Sequence, residues 1–219
     1  MQSSVISSLI YLIPALVLAI SLHEMMHALV GYWLGDDTAK VHGRISFNPL
    51  HHIDPITTIG LPLLLVMLGL PPFAAAKPVP INTYRLKYEE FGMALVGLAG
   101  PLTNLLLAIV FILIFKAVAP GGGELLRSGQ LNTASSYLVG FLSYSIVLNV
   151  GLFVFNMIPF PPLDGSRVLY AFAPEPLQKF MNQIERMGFV AILLFMFVGF
   201  PFIAPAILNA QRVIIGFLL

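Results

Sequence analysis

His23-Glu24-Met25-Met26-His27 sets two imidazoles four residues apart, with a carboxylate directly after the first. On an α-helix, residues i and i+4 lie one above the other on one face. That spacing lets His23 and His27 grip a single zinc ion. Glu24 is turned by about 100° from His23 on a helix, close enough to act on a metal-bound water without ligating the metal. Zinc brings the pKa of such a water to about 7, and a carboxylate at Glu24 can then take its proton as general base. The setting sharpens this chemistry. The motif sits inside a long apolar run, Val5 to Leu34, and an ionisable group at the centre of an apolar helix costs about 3 kcal/mol in lipid, which makes it a functional candidate.

Catalytic zinc wants three protein ligands and one open position. The chain has no Cys, so the third ligand must be His, Asp or Glu. Asp164 is the candidate. It follows an apolar span and the Pro-rich turn Pro159-Phe160-Pro161-Pro162-Leu163, and Gly165 follows it. Three prolines cannot sit in a regular helix interior, so the span must break beside the Asp. On the residues alone, a cap for a helix from Ser166 onward explains Asp164 equally well. His51 and His52 could reach the metal or carry protons at an entrance, or serve as interfacial polar groups. Asn104 and Asn156 could donate to an oxyanion or a substrate carbonyl, or form interhelical hydrogen bonds.

The elements that must position these groups are membrane helices. Of 219 residues, 58% are hydrophobic and 10% charged, with mean hydropathy +0.91, whereas a soluble domain carries about 25% charged residues. The composition specifies an integral, multi-pass membrane protein. The formal net charge of +1 gives no sign of a nucleic-acid partner. No Lys or Arg precedes His23, so the expected basic n-region of a cleavable signal peptide is lacking. The expected fold is all-α, with about four to six membrane segments in a single domain over residues 1–219. Full spans are expected over Val5–Leu34, Phe91–Val118 and Tyr137–Ile158. A last apolar stretch, Gly188–Leu219, reads as either one kinked span or a hairpin.

Between the first two spans the pattern is irregular. Val41-His-Gly-Arg-Ile-Ser-Phe47 alternates well enough to predict a short strand. Ile56–Leu70 is apolar but short for a span and is broken by Gly60, Pro62 and Gly69. If Ile56–Leu70 crosses, Lys and Arg divide six against five between the two sides. If it is re-entrant, Lys40 and Arg44 join Lys77, Arg85, Lys87, Arg167, Lys179 and Arg186, and the split becomes eight against three. The second division obeys the positive-inside rule, so a re-entrant element is expected. The metal site then lies toward the cytoplasmic side.

Together, His23-Glu24-Met25-Met26-His27 and Asn156-Met-Ile-Pro159-Phe-Pro161-Pro162-Leu163-Asp164-Gly165 resemble the site-2 protease family of intramembrane zinc metalloproteases. Gly100-Pro101-Leu102-Thr103-Asn104 resembles that family's motif on the intervening helix. Gly43-Arg44, Asn48-Pro49-Leu50 and His52-Ile53-Asp54-Pro55 resemble a compact bacterial branch without PDZ or CBS modules. The resemblance implies one zinc on His23, His27 and Asp164, Glu24 as the base, and Asn156 near the site. It implies an endopeptidase in the bacterial cell membrane that cuts transmembrane or membrane-proximal segments of other proteins. A second function class is a metal-ion transporter with the same three ligands along its path. That class would favour pseudo-symmetric halves, and the sequence contains no internal repeat.

Overall fold

The computed structural model describes residues 2–54, 58, 60, 76–119 and 133–218. Helix α1 runs Gln2–Trp33, and a single turn, α2, runs Thr38–Val41. Short 3-10 turns follow at Pro49–His51 and Thr83–Arg85. Helix α3 is Glu89–Val118, α4 Thr133–Asn156, α5 Gly165–Phe172 and α6 Glu175–Arg186. The chain ends in α7, Phe189–Leu194, a π-helical turn, Phe195–Gly199, and α8, Phe200–Leu218.

Four of these helical stretches are long and apolar enough to cross a membrane: Leu9–Trp33, Glu89–Val118, Tyr137–Asn156 and Val190–Phe217. The last joins α7, the π turn and α8 end to end, so the C-terminal apolar stretch is one helical segment and not a hairpin. Among the described residues there is no strand. The fold is therefore all-α, as its composition requires.

The strand expected over Val41–Phe47 is not formed. Val41 closes α2, and the next residues cap that turn. The Gly43 N–H donates to the Lys40 carbonyl and the Arg44 N–H to the Ala39 carbonyl, both at 2.9 Å. Gly43 has φ +68°. This is a Schellman ending, which needs a left-handed residue one past the cap. Side chains across such a reversal do not alternate between two faces, so the apparent two-residue period had no structural meaning. Apart from residues 58 and 60, the re-entrant element expected at Ile56–Leu70 lies outside the described residues.

Helix α3 is the centre of the bundle and packs on α1, α4 and α5, while α8 packs on the outer side of α4. Many of the buried residues of α1 and α3 are small: Ala15, Ala19 and Ala28 on α1, and Ala94, Ala99 and Ala108 on α3. Lipid tails are as apolar as side chains, so close backbone approach replaces hydrophobic burial as the source of packing energy. Larger groups interlock α3 with α4 through Phe111, Ile112, Leu142 and Ile146. Leu106, Leu113, Phe202 and Phe217 remain exposed on the outside, as lipid-facing residues should.

The end of α1 is stitched to the start of α3. The Lys87 N–H donates to the Leu34 carbonyl at 2.8 Å, and the Asn82 N–H donates to the Asp36 carboxylate at 2.6 Å. These bonds make α1 and α3 antiparallel neighbours, and the register places His27 level with Val96 and His23 level with Asn104.

Candidate metal centre

Asp164 is brought to the two histidines by the break after α4. The helix ends at Asn156 and the Pro-rich turn, with its Pro161–Pro162 peptide cis, carries the chain back to α5. Asp164 occupies the position before α5, yet its side chain makes no capping bond. Its carboxylate faces the imidazoles instead. Asp164 Oδ2 lies 3.1 Å from His23 Nε2, and Oδ1 lies 3.4 Å from His27 Nε2. The two Nε2 atoms are 3.0 Å apart. These three donor atoms lie within 4.8 Å of one another, the one such cluster among the described residues.

The outward ring nitrogens fix the protonation of the inward ones. His27 Nδ1 is 2.6 Å from the Val96 carbonyl, which can only accept, so Nδ1 carries the hydrogen. His23 Nδ1 is 2.6 Å from Asn104 Oδ1, and a longer chain orients that amide. Asn149 Nδ2–H donates to the Ser145 carbonyl at 2.8 Å, which turns Asn149 Oδ1 toward Asn104. Asn104 Nδ2–H donates to that oxygen at 2.9 Å, leaving its own Oδ1 for His23. In the neutral rings that bind a metal, both Nε2 atoms are then bare. Two nitrogen lone pairs and a carboxylate converging in a buried site repel one another unless a cation sits among them. Outer hydrogen bonds of this kind are how proteins set the tautomer of metal-binding histidines. The donor set, two imidazole nitrogens and a carboxylate, fits zinc.

Helix α3 passes directly under this cluster because it carries glycine there. A Cβ on Gly100 would lie 2.4 Å from His27 Nε2 and 2.6 Å from His23 Nε2. A Cβ on Gly97 would lie 2.9 Å from the Asp164 carbonyl oxygen. Glycine is required at both positions for close approach, not for an unusual turn.

Glu24 sits next to His23 in α1 and interacts electrostatically with His23, His27, Asp164 and Arg44. The other residues singled out from sequence are dispersed. Asn156 Nδ2–H donates to the Leu152 carbonyl of its own helix at 3.1 Å. His52 is fully buried and bonds through Nε2 to the Ser46 carbonyl at 2.8 Å. His51 is bonded to the Gly43 carbonyl at 3.0 Å. Neither His51 nor His52 joins the three-residue cluster. Asn149 and Ser145 were not singled out. Their signal was available in outline: an Asn is costly inside an apolar span unless it finds a partner on another helix, and Asn104 is a second such residue.

The sequence pattern of Peptidase family M50 matches residues 123–199, a segment that contains Asp164. YwhC of Bacillus subtilis, named as a candidate zinc metalloprotease, is 37% identical over 203 residues, which is 92% of this chain and 87% of YwhC. The chain belongs to Peptidase family M50. This is the site-2 protease family that the sequence motifs resemble. Rip2 of Mycolicibacterium smegmatis, also named as a candidate zinc metalloprotease, is 27% identical over 190 residues, covering 87% of this chain and 68% of Rip2. No solved structure matches the chain significantly. As an M50 member with four apolar helices, the protein is a membrane zinc metalloprotease.

Proposed function

We propose that this chain is a single-domain intramembrane endopeptidase over residues 1–219, with zinc held by His23, His27 and Asp164 and with Glu24 as general base. The observation that carries the reading is the convergence of the Asp164 carboxylate on the Nε2 atoms of His23 and His27, which lie in a helix long enough to span a bilayer. Bound there, zinc supplies Lewis-acid chemistry, acidifying water and polarising a carbonyl. The protein's own residues do the rest. Glu24 takes the proton of the attacking water and returns it to the leaving amine. Val96 and Asn104 hold the imidazoles in place, so Asn104 acts on His23, while Asn156 and His52 are the substrate-side candidates. The substrate is a transmembrane or membrane-proximal segment of another protein. A helical segment hides its carbonyls in its own hydrogen bonds, so it must unwind locally before attack.

The proposed site lies toward the cytoplasmic side, a reading that rests on the distribution of Lys and Arg. His23 and His27 precede Trp33, the end of the span, by ten and six residues, or about 15 and 9 Å at 1.5 Å per residue. That end carries the Lys- and Arg-rich connection. Membership of a peptidase family favours this reading over metal transport.

Glu24→Gln tests it. Gln keeps the size of the side chain and removes the base. In liposomes, the variant is expected to hold zinc as the wild type does and to cleave a membrane-embedded reporter about 10²- to 10⁴-fold more slowly. Cleavage at the wild-type rate would overturn the assignment of Glu24. A wild-type protein that cut nothing but carried zinc down a gradient across vesicles would overturn the protease reading itself.

A further inference from the structure

Beside Glu24 the loop between α2 and α3 holds two buried polar side chains with atoms left over. Arg44 is 3% exposed and His52 is 0% exposed. They are joined through the backbone of one residue. The Lys77 N–H donates to the His52 carbonyl at 2.9 Å, and Arg44 Nη2–H donates to the Lys77 carbonyl. Arg44 Nε and Nη1 and His52 Nδ1 have no hydrogen-bond partner among the described residues. Arg44 interacts electrostatically with Glu24 and with His52.

Buried polar groups are almost always paired, and an unpaired cationic donor is among the more costly exceptions. The unpaired atoms here have defined roles. Arg44 can only donate. His52 Nε2 faces the Ser46 carbonyl, so Nε2 carries the hydrogen and Nδ1 can only accept. Two donors and an acceptor, on side chains linked through Lys77, match in kind the carbonyls and the N–H of an extended peptide. Those are the groups that a locally unwound membrane segment leaves without partners.

We propose that Arg44 and His52 form the binding site for the unwound backbone of the substrate next to the scissile bond, with Arg44 Nε–H and Nη1–H, which point in different directions, donating to separate peptide carbonyls and His52 Nδ1 accepting from a peptide N–H. This rests on the peptidase reading and extends it by naming what holds the substrate open. Arg44 is a substrate-binding residue in this scheme. The alternative is a purely electrostatic role, in which its charge serves Glu24 and touches no substrate.

The test uses the full chain, loaded with zinc, in liposomes. The probe is a single-span Leu/Ala peptide broken by a central Gly-Pro pair, with a fluorophore and a quencher on either side. Arg44→Gln is expected to raise KM about tenfold or more, with zinc content and the acid limb of the pH profile unchanged. Arg44→Lys should not restore KM, because an ammonium that reaches the Lys77 carbonyl cannot also present donors in the two fixed directions of Nε and Nη1. An unchanged KM overturns the proposal. So does full rescue by Arg44→Lys together with a moved acid limb in Arg44→Gln, which is the electrostatic outcome. Should Arg44→Gln fail to fold, Arg44→Lys, which can still reach the Lys77 carbonyl, decides the matter on KM. A second readout needs no turnover. The chain has no Cys, so Phe47→Cys in a Glu24→Gln background can be crosslinked to a Cys beside the Gly-Pro pair of the probe. Loss of the crosslink on adding Arg44→Gln supports the site. Persistence of the crosslink, or its absence in the parent, overturns the site. If the wild type holds zinc and cuts nothing, the peptidase reading falls, and the crosslink still judges the binding site.

Discussion

The orientation of His23 is set from a helix, α4, that supplies none of the three metal-site residues. The Ser145 carbonyl turns Asn149, Asn149 turns Asn104, and Asn104 makes His23 a donor at Nδ1. Asn104→Leu therefore leaves an N–H unpaired and frees the ring to flip. Loss of such an outer partner typically weakens metal binding by about 10- to 100-fold. Chelator competition on the purified variant should read that loss, with Glu24 untouched. Unchanged affinity would mean that packing alone orients the ring. The residue scale was also the most legible in sequence. His23, Glu24 and His27 announce themselves by spacing, whereas the Pro-rich break before Asp164 left a helix cap equally open, and the resemblance of the paired motifs pointed to a ligand. Asn104 was visible, either as a group for the substrate or as an interhelical hydrogen-bond partner, and in the structure it bonds to two other helices. Its service to His23 joins positions 81 residues apart, and no local spacing encodes that. Asn149 carries no motif at all.

At the scale of elements, α3 is tuned to pass under the cluster. Gly100→Ala would drive a methyl to within 2.4 Å of His27 Nε2. The imidazoles cannot swing aside, since each is pinned at Nδ1. The expected result is loss of zinc together with a destabilisation of about 1–3 kcal/mol, as for overpacked cores. Metal content and Tm in detergent measure both, and wild-type zinc with an unchanged Tm would show that α3 can back away. A second element-level device is the clasp at Asp36. Burial pushes its carboxyl up, but hydrogen bonds from the Thr38 hydroxyl, the Asn82 N–H and the Thr38 N–H, with the charge of Arg85, outweigh burial and hold it below its usual range. A depressed carboxylate stabilises the fold fully above the unfolded value of about 3.9. That contribution is lost as pH falls through the folded value. Tm of the wild type should drop steeply below about pH 4, and Asp36→Asn should start lower and flatten that limb. Equal slopes would remove Asp36 as the acid-sensitive clasp. The long helices were legible from hydropathy. The loop was not, because Gly43 made a helix ending look like strand alternation.

At the scale of the whole molecule, the question is which connections share a side of the membrane. The sequence posed it through two divisions of Lys and Arg, and the answer depends on whether residues before and after Ile56–Leu70 lie together. The described residues on either flank are bonded to each other. The Lys77 N–H meets the His52 carbonyl at 2.9 Å, the Asn82 N–H meets Asp36, and Arg85 pairs with Asp37 at 2.5 Å. A full crossing would hold such flanks apart by the hydrocarbon thickness of about 30 Å. These bonds support one face for Lys40, Arg44, Lys77, Arg85 and Lys87, and the proposal that this face is cytoplasmic rests on the positive-inside rule. Lys116, near the far end of α3, then belongs to the opposite face. Single cysteines can test this, because the background contains none. Val41 and Tyr84 are well exposed on the two flanks, and Val118 is half-exposed at the end of α3. In intact cells, a membrane-impermeant thiol reagent should label Val118→Cys and spare Val41→Cys and Tyr84→Cys, and permeabilisation should expose both. Labelling of Val41→Cys and Tyr84→Cys from opposite faces would separate the flanks. It would also separate Arg44 from Lys77, and with them the substrate site proposed beside Glu24.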